Sequence, residues 1–314
     1  MQEINNNKLD TFEDEIDLKE LFNVLLNAKW VIISFTLFVS TIGMIYSLLL
    51  PNIYQSNAIL VPVDESSSIS GALGGYSGLA GLAGISLPQG GGESNSVKAI
   101  QKITTLSFFE NNILANIFLP DLLAVKSWDF HSNQLMYDEK IYNVNNNSWI
   151  KDYSYLKRET PSAQESFAVF NTKHFSLSED KKTGFITLSM KHQSPVLAKQ
   201  WLELVVNEVN GYYRDKDKLE SEKAAIYLNQ QISTTTLSEI KQVLAQLLQE
   251  EIKKLTLIEA NQFYVFDYID PPAVMEKKSE PRRALICIIS ALLGGMLSIL
   301  FVLIRHYVFN EKAS

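Results

Sequence analysis

Cysteine is almost missing from this chain of 314 residues, and its single one, Cys287, lies inside an apolar run, so no disulfide framework staples the fold. Histidine is nearly as scarce. His131, His174, His192 and His306 show no pair at a metal-ligand spacing, which leaves packing or surface roles as the simplest reading and no metal site. Basic blocks are missing too: Pro51 to Arg283 carries a net charge of −4 with Lys and Arg scattered along it, which argues against a nucleic-acid partner. The Gly-rich stretch Gly71 to Gly92 holds nine of the 14 glycines, yet neither G-x-G-x-x-G nor G-x-x-x-x-G-K-[ST] occurs in it, so it is read as a mobile loop with no phosphate or cofactor to cradle. Glu65-Ser-Ser-Ser-Ile has no G-x-S-x-G elbow around it. Asp267 and Asp270 could pair as carboxylates for acid–base work, but a strand end running into Pro271-Pro272 explains them as well. The expectation is a protein with no catalytic residue, cofactor or metal.

What the chain does have is two runs, Trp30 to Leu50 and Ala284 to Ile304, each of 21 residues without one Asp, Glu, Lys or Arg. At 1.5 Å per residue each makes roughly 31 Å of helix, the thickness of a hydrocarbon core. The first is preceded by an acidic segment instead of a short basic one and continues into Leu-Leu-Leu-Pro-Asn-Ile, so it reads as an uncleaved anchor and not a signal peptide. Lys8, Lys19 and Lys29 precede it, with no further Lys or Arg until Lys98. That asymmetry keeps the N-terminus inside, although Lys277, Lys278, Arg282 and Arg283 on the loop side of the second run oppose it; the first helix usually dominates, so both termini are placed in the cytoplasm. The expected organisation is a cytoplasmic segment 1–29, a membrane helix 30–50, an outer domain 51–283, a second membrane helix 284–304 and a cytoplasmic tail 305–314. Small residues recur at four-residue spacing in both runs, Gly43 with Ser47, Ala291 with Gly295, and Gly294 with Ser298. Such stripes let helices approach closely in lipid, within the chain or with a partner, but glycine is common in membrane helices anyway.

Within the outer domain, Asn52 to Val61 alternates as a strand, and Ser96 to Ile117 carries the periodicity of one or two amphipathic helices. Pro120 to Thr160 is mixed, aromatic and Asn-rich, and takes no assignment. Phe167-Ala-Val-Phe, Phe175-Ser-Leu and Phe185 to Met190 alternate around the turn-rich Glu179 to Gly184, predicting a strand hairpin. Ser194-Pro195 then supplies an N-cap and a first-turn proline for a long helix, about 195–258. Its stripe breaks at Thr234-Thr-Thr-Leu-Ser-Glu239, where Thr236 and Glu239 have the spacing of a capping box. A straight helix over this range would reach roughly 96 Å. Its apolar stripe is covered either by neighbouring copies or by folding back at the Thr-rich break. Phe263 to Ile269 is strand-like and returns the chain to the base beside the first strand.

Four segments together resemble the Wzz-type chain-length determinants, or polysaccharide co-polymerases. They are Asp14-Glu-Ile-Asp-Leu-Lys-Glu-Leu-Phe before Lys29-Trp30, the exit Leu-Leu-Leu-Pro-Asn-Ile-Tyr, the run Ser194 to Asp215, and the proline-rich junction Ile269-Asp-Pro-Pro-Ala-Val-Met-Glu-Lys-Lys-Ser-Glu-Pro-Arg-Arg. The junction, with Pro271, Pro272 and Pro281, carries most of the likeness, and Met275 stands where a further proline is often seen. The resemblance implies a membrane-anchored α+β protein of the bacterial inner membrane, with two transmembrane helices flanking a periplasmic domain that has an α/β base and a long projecting helix. It implies a regulator of surface polysaccharide length, most often lipopolysaccharide O-antigen, acting as a ring-like homo-oligomer beside a separate O-antigen polymerase and the growing polysaccharide. Relatives in capsule export carry a kinase after the second helix; this sequence shows no Walker motif there, which favours the kinase-free O-antigen branch. A periplasmic adaptor or scaffold for an exporter shares the topology and is the alternative, while a sensor would lack an output module.

Overall fold

The computed structural model describes residues 18–63, 95–150, 160–261 and 263–310. The Gly-rich stretch Gly71 to Gly92, Glu65-Ser-Ser-Ser-Ile and the chain before Leu18 lie outside the described residues. The chain forms two compact units, one from residues 1–51 and 280–314 and the other from Asn52 to Ser279.

The first unit opens with α1 (Leu18–Asn27), a helix within the segment expected only as a cytoplasmic head. Its Leu18, Leu21, Phe22 and Leu25 repeat at helical spacing. A turn at Ala28 leads into α2 (Lys29–Leu49), which begins and ends one residue before the apolar run read from the sequence.

The second unit is built on one antiparallel sheet. Strand β1 (Tyr54–Pro62) takes the place predicted for it. After the undescribed segment, α3 (Asn95–Ile103) and α4 (Leu106–Phe108) continue into a π-helical turn, Phe109–Ile113, and a 3-10 turn, Leu114–Asn116. A short α5 (Leu119–Leu123) follows. The unassigned region then resolves into two small hairpins, β2 (Val125–Asp129) with β3 (Gln134–Tyr137) and β4 (Tyr142–Asn143) with β5 (Ser148–Trp149). Their turns need no glycine because Asn133 and Asn147 take positive φ, 52° and 48°, which asparagine tolerates better than other side chains.

The strand predicted at Phe167 is not there. Ala163–Val169 is a helix, α6, closed by a reciprocal capping box in which Ser162 accepts from the Glu165 amide and Glu165 accepts from the Ser162 amide; those two satisfied amides fix helix at the segment's start before alternation can count. The rest of the predicted hairpin stands: β6 (Phe175–Glu179) pairs antiparallel with β7 (Ile186–His192). In the sheet order β6-β7-β1-β8, Ala58, Leu60, Ile186, Leu188 and Met190 point into the core.

Helix α7 (Pro195–Thr234) begins as its sequence predicts, with the Ser194 hydroxyl accepting from the Leu197 amide and Pro195 in the first turn. Trp201, Leu202, Val205, Val206, Val209 and Tyr213 bury its first half against the sheet and the α3–α5 segment. The helix then stops at the Thr-rich break and α8 (Ser238–Ala260) runs back beside it. Lys218 pairs with Glu259, and an Arg214 Nη2 donates to the Asn261 carbonyl at 2.8 Å. At the break the chain folds back on itself as a helical hairpin. The capping box expected from Thr236 and Glu239 does not form: α8 has Leu237 at its N-cap without a side-chain bond, since the extended break already turns the chain. Strand β8 (Phe266–Asp270) closes the sheet against β1.

The chain ends in α9 (Arg283–Asn310), which packs on α2 inside the first unit. Both α2 and the stretch Arg283–His306 are long and apolar enough to cross a membrane, and their outward faces carry exposed Trp30, Leu37, Leu292 and Met296.

Candidate functional site

The small residues picked out in the apolar runs lie where α2 meets α9. A Cβ added to Gly43 would come within 2.5 Å of the Ser290 Cβ, and one on Gly294 within 3.0 Å of the Val39 Cβ, whereas Gly295 has more room, 3.9 Å from the Thr36 hydroxyl. Ser47 and Ser298 are both buried at 1% exposure, and the Ser298 hydroxyl donates to the Gly295 carbonyl at 2.7 Å. Ala291 is half-buried one turn before Gly294 and Gly295, and Phe35 stacks on Phe301 at 6.4 Å. Close approach in this seam depends on side chains that end at, or just past, the backbone.

The proline-rich junction runs beside the start of β1. Pro272 is buried and Pro271 exposed; the Ser56 hydroxyl donates to the Ala273 carbonyl at 2.9 Å. Further along, the Ser279 amide donates to the Ile53 carbonyl at 2.8 Å, and the Lys278 ammonium donates to the Asn52 side chain at 3.1 Å. The two places where the chain enters and leaves the second unit are therefore tied together. Pro281 belongs to the helical unit, two residues before α9.

Two buried polar clusters escaped the sequence reading. Asn210, on the core face of α7, accepts from the Tyr264, Val265 and Phe266 amides at 3.2, 2.7 and 3.0 Å and donates to the Phe266 carbonyl at 3.1 Å. One side chain thus satisfies most of the backbone entering β8, which burial would otherwise leave without water. Two turns on, Asp217 accepts from the Tyr264 hydroxyl at 2.7 Å and from the Asn95 side-chain amide at 2.8 Å. These residues fasten the long helix to the return strand and to the start of α3.

The second cluster is an imidazole pair. His174 and His192 lie 5.6 Å apart with Trp201 packed edge-on to both. The His192 Nδ1 accepts from the Ser194 amide at 2.9 Å, which puts its proton on Nε2, facing the Asp121 carbonyl at 3.0 Å. His174 faces two carbonyls, Lys191 at 2.8 Å and Leu122 at 3.2 Å; when neutral it has one N–H and can serve only one of them. Burial penalises the imidazolium in both rings, lowering His174 and bringing His192 down to about 4. Nearby, burial raises the Asp121 carboxyl, opposed by the Tyr137 hydroxyl that donates to it at 2.6 Å. The two rings line a cavity of about 260 Å³ with Leu122, Val125, Ile141 and Lys173. Without a carboxylate or hydroxyl on either ring this is a packing site with polar satisfaction, and it holds no nucleophile–base pair.

Asp267 and Asp270 are exposed on β8, and Asp267 accepts from the amide of its own neighbour Tyr268. Nothing brings the two carboxylates to a common partner. Among the described residues no group of three or more His, Cys, Asp or Glu could hold a metal.

The described residues thus define a class: an α/β domain tied at both ends to apolar helices and carrying a long helical hairpin. Residues 14–110 match the family model described as chain length determinant protein, Wzz, and residues 236–307 match one described as a G-rich domain on putative tyrosine kinase. The likeness to the Wzz chain-length determinant family therefore spans residues 14–110, under a third of the chain. No match was found among the curated proteins. Among solved structures, the chain is similar to a full-length bacterial polysaccharide co-polymerase at 16% identity, over 95% of this chain and 100% of that one, with a TM-score of 0.39. It is also similar to a fragment of the co-polymerase WzzB from Salmonella Typhimurium, at 13% identity over 73% and 100%, TM-score 0.28. A mutant of the Shigella flexneri lipopolysaccharide O-antigen chain-length regulator is similar at 12% identity over 72% and 100%, TM-score 0.21.

Proposed function

We propose that this protein regulates the length of a surface polysaccharide, lipopolysaccharide O-antigen in the first instance, as a non-catalytic homo-oligomer beside a separate membrane polymerase. It sits in the bacterial inner membrane with α2 and α9 as spans, both termini in the cytoplasm and the domain from Asn52 to Ser279 in the periplasm. The family match supports the role. The observation that carries the oligomer is the outer half of the helical hairpin: from Glu222 through Leu257 not one residue is buried, and Ile226, Tyr227, Leu237 and Ile252 are exposed. Two facing helices with side chains such as Leu244 and Leu248 only partly buried hold marginal structure in water, so neighbouring copies are the natural cover for the exposed ones. A ring of such hairpins presents a surface of fixed size, and polymer length follows from how long the growing polysaccharide and its polymerase stay engaged with it.

Deleting the gene and resolving the lipopolysaccharide ladder repeat by repeat tests the role. Loss of the modal cluster with polymer still present is the expected result, and a complemented strain restores it. The second reading, a scaffold for a polysaccharide exporter, is favoured by the match of residues 236–307 to a domain described on putative tyrosine kinases. It predicts complete loss of the long polymer instead.

A further inference from the structure

We infer that the β2–β3 hairpin is an interfacial foot, seating Trp128 and Phe130 among the lipid headgroups on the periplasmic face of the membrane. This rests on the reading of α2 and α9 as membrane spans. The outer unit fixes its own attachment point: Ile53 and Ser279 are hydrogen-bonded to each other, Tyr54 follows the end of α2 at Leu49 by five residues, and Ser279 precedes α9 by four. Five residues of extended chain reach at most about 17 Å, so Tyr54 stays close to the membrane surface however the units turn. The Tyr54 ring meets Trp128 edge-on at 5.5 Å, and Trp128 meets Phe130 at 5.8 Å. Phe130 is 74% exposed, which no core contact explains. Trp128 is held in place by its indole N–H, which donates to Asn133 in the hairpin turn at 2.9 Å.

Indole and phenol rings concentrate at membrane–water interfaces, where one edge meets lipid and the other meets water. Lys277 and Lys278 are exposed at the same attachment point, with charge complementary to anionic headgroups. Aromatic rings alone would suit a sugar face equally well. Trp128 packs on Tyr54, which lies five residues past the first span and two past Asn52, the partner of Lys278; rings and cations at one attachment point fit a phospholipid surface.

The test uses the full chain with Cys287→Ser and one new cysteine carrying an environment-sensitive fluorophore, reconstituted in vesicles of phosphatidylethanolamine and phosphatidylglycerol with nitroxide lipids. Three sites are compared: Phe130→Cys; Lys182→Cys in the β6–β7 turn; and Met296→Cys on the exposed face of α9. Tyr54 pairs with His192 while Leu60 pairs with Ile186, so the β6–β7 turn is at the opposite end of the sheet, roughly 20 Å away. Headgroup nitroxide is expected to remove most of the fluorescence at position 130 and little at 182, with acyl-chain nitroxide quenching 296. Quenching at 296 with none at 130 overturns the foot and leaves the spans standing. A label at 130 shielded from aqueous iodide yet unquenched by lipid also overturns it, in favour of a protein or polysaccharide occupant. No quenching at 296 overturns the spans and the foot together.

Discussion

One helix, α7, is two different objects along its length. From Pro195 to Ser221 it is a core pillar, with Trp201, Leu202, Val205, Val206 and Val209 at 4% exposure or less; from Glu222 to Thr234, and on through α8 to Leu257, nothing is buried. The inner half draws its stability from the chain's own sheet. Among the described residues the outer half meets no apolar partner beyond the facing helix, so in the proposed oligomer its energetics depend on neighbouring copies. Substitutions in the two halves should therefore fail in different assays, melting for the inner half and assembly size for the outer.

The largest expected effect is at Asn210. Asn210→Ala removes the oxygen that accepts from the Tyr264, Val265 and Phe266 amides, at about 1–3 kcal/mol for each buried bond lost. The melting temperature in detergent should fall steeply, and a melt near that of the parent would break the pillar half of the comparison. Trp201→Ala comes next, at about 3–5 kcal/mol for a large aromatic removed from a core. Its loss also uncovers both imidazoles, so tritium or deuterium exchange at the His174 and His192 rings should quicken along with the lower melting point.

Acid should weaken the inner half alone. Above about pH 6.5 His192 is neutral in the folded and unfolded chain alike. Between there and its folded value of about 4, the unfolded state takes up a proton that the folded state refuses, so stability is present at neutral pH and drains away as pH falls through this window. The full loss is about 3 kcal/mol. A His192→Gln variant should show a flatter melting profile between pH 7 and 4, whatever its absolute stability; an unchanged slope would remove His192 from the account. In the seam between the apolar helices, Gly43→Leu should push Ser290 away and loosen the pairing of α2 and α9. Reduced cross-linking between cysteines placed across the seam would show it, and unchanged cross-linking would mean that the helices repack at no cost. The smallest stability effect is expected in the outer half, where Ile226→Ser should shift stability by no more than about 0.5 kcal/mol.

Much of the outer unit was legible because local signals agreed with the tertiary outcome. Ser194-Pro195 announced α7, the alternation of Phe175 to Met190 announced β6 and β7, and the Thr-rich break marked the place where the helix reverses. Competing local signals caused the misreadings. Ser162 and Glu165 have the capping-box spacing that makes α6, while the alternation of Phe167 to Phe170 points to a strand; Thr236 and Glu239 have the same spacing and form no box. Asn-based turns hid both small hairpins, since Asn133 and Asn147 provide positive φ without the glycine that a sequence reading seeks. Asn210 was invisible for another reason: its partners are more than 50 residues away along the chain, and only the packed fold places them under its side chain.

The central claim is that the outer hairpin is built to be covered by other copies of the chain. Replacing Ile226 and Tyr227 together with aspartate, and measuring particle mass by light scattering in detergent beside the melting temperature, tests it most directly. A smaller particle with an unchanged melt, accompanied in cells by a shifted O-antigen ladder, is the predicted result. A particle of parental mass with two buried-by-neighbour positions turned acidic would contradict the claim.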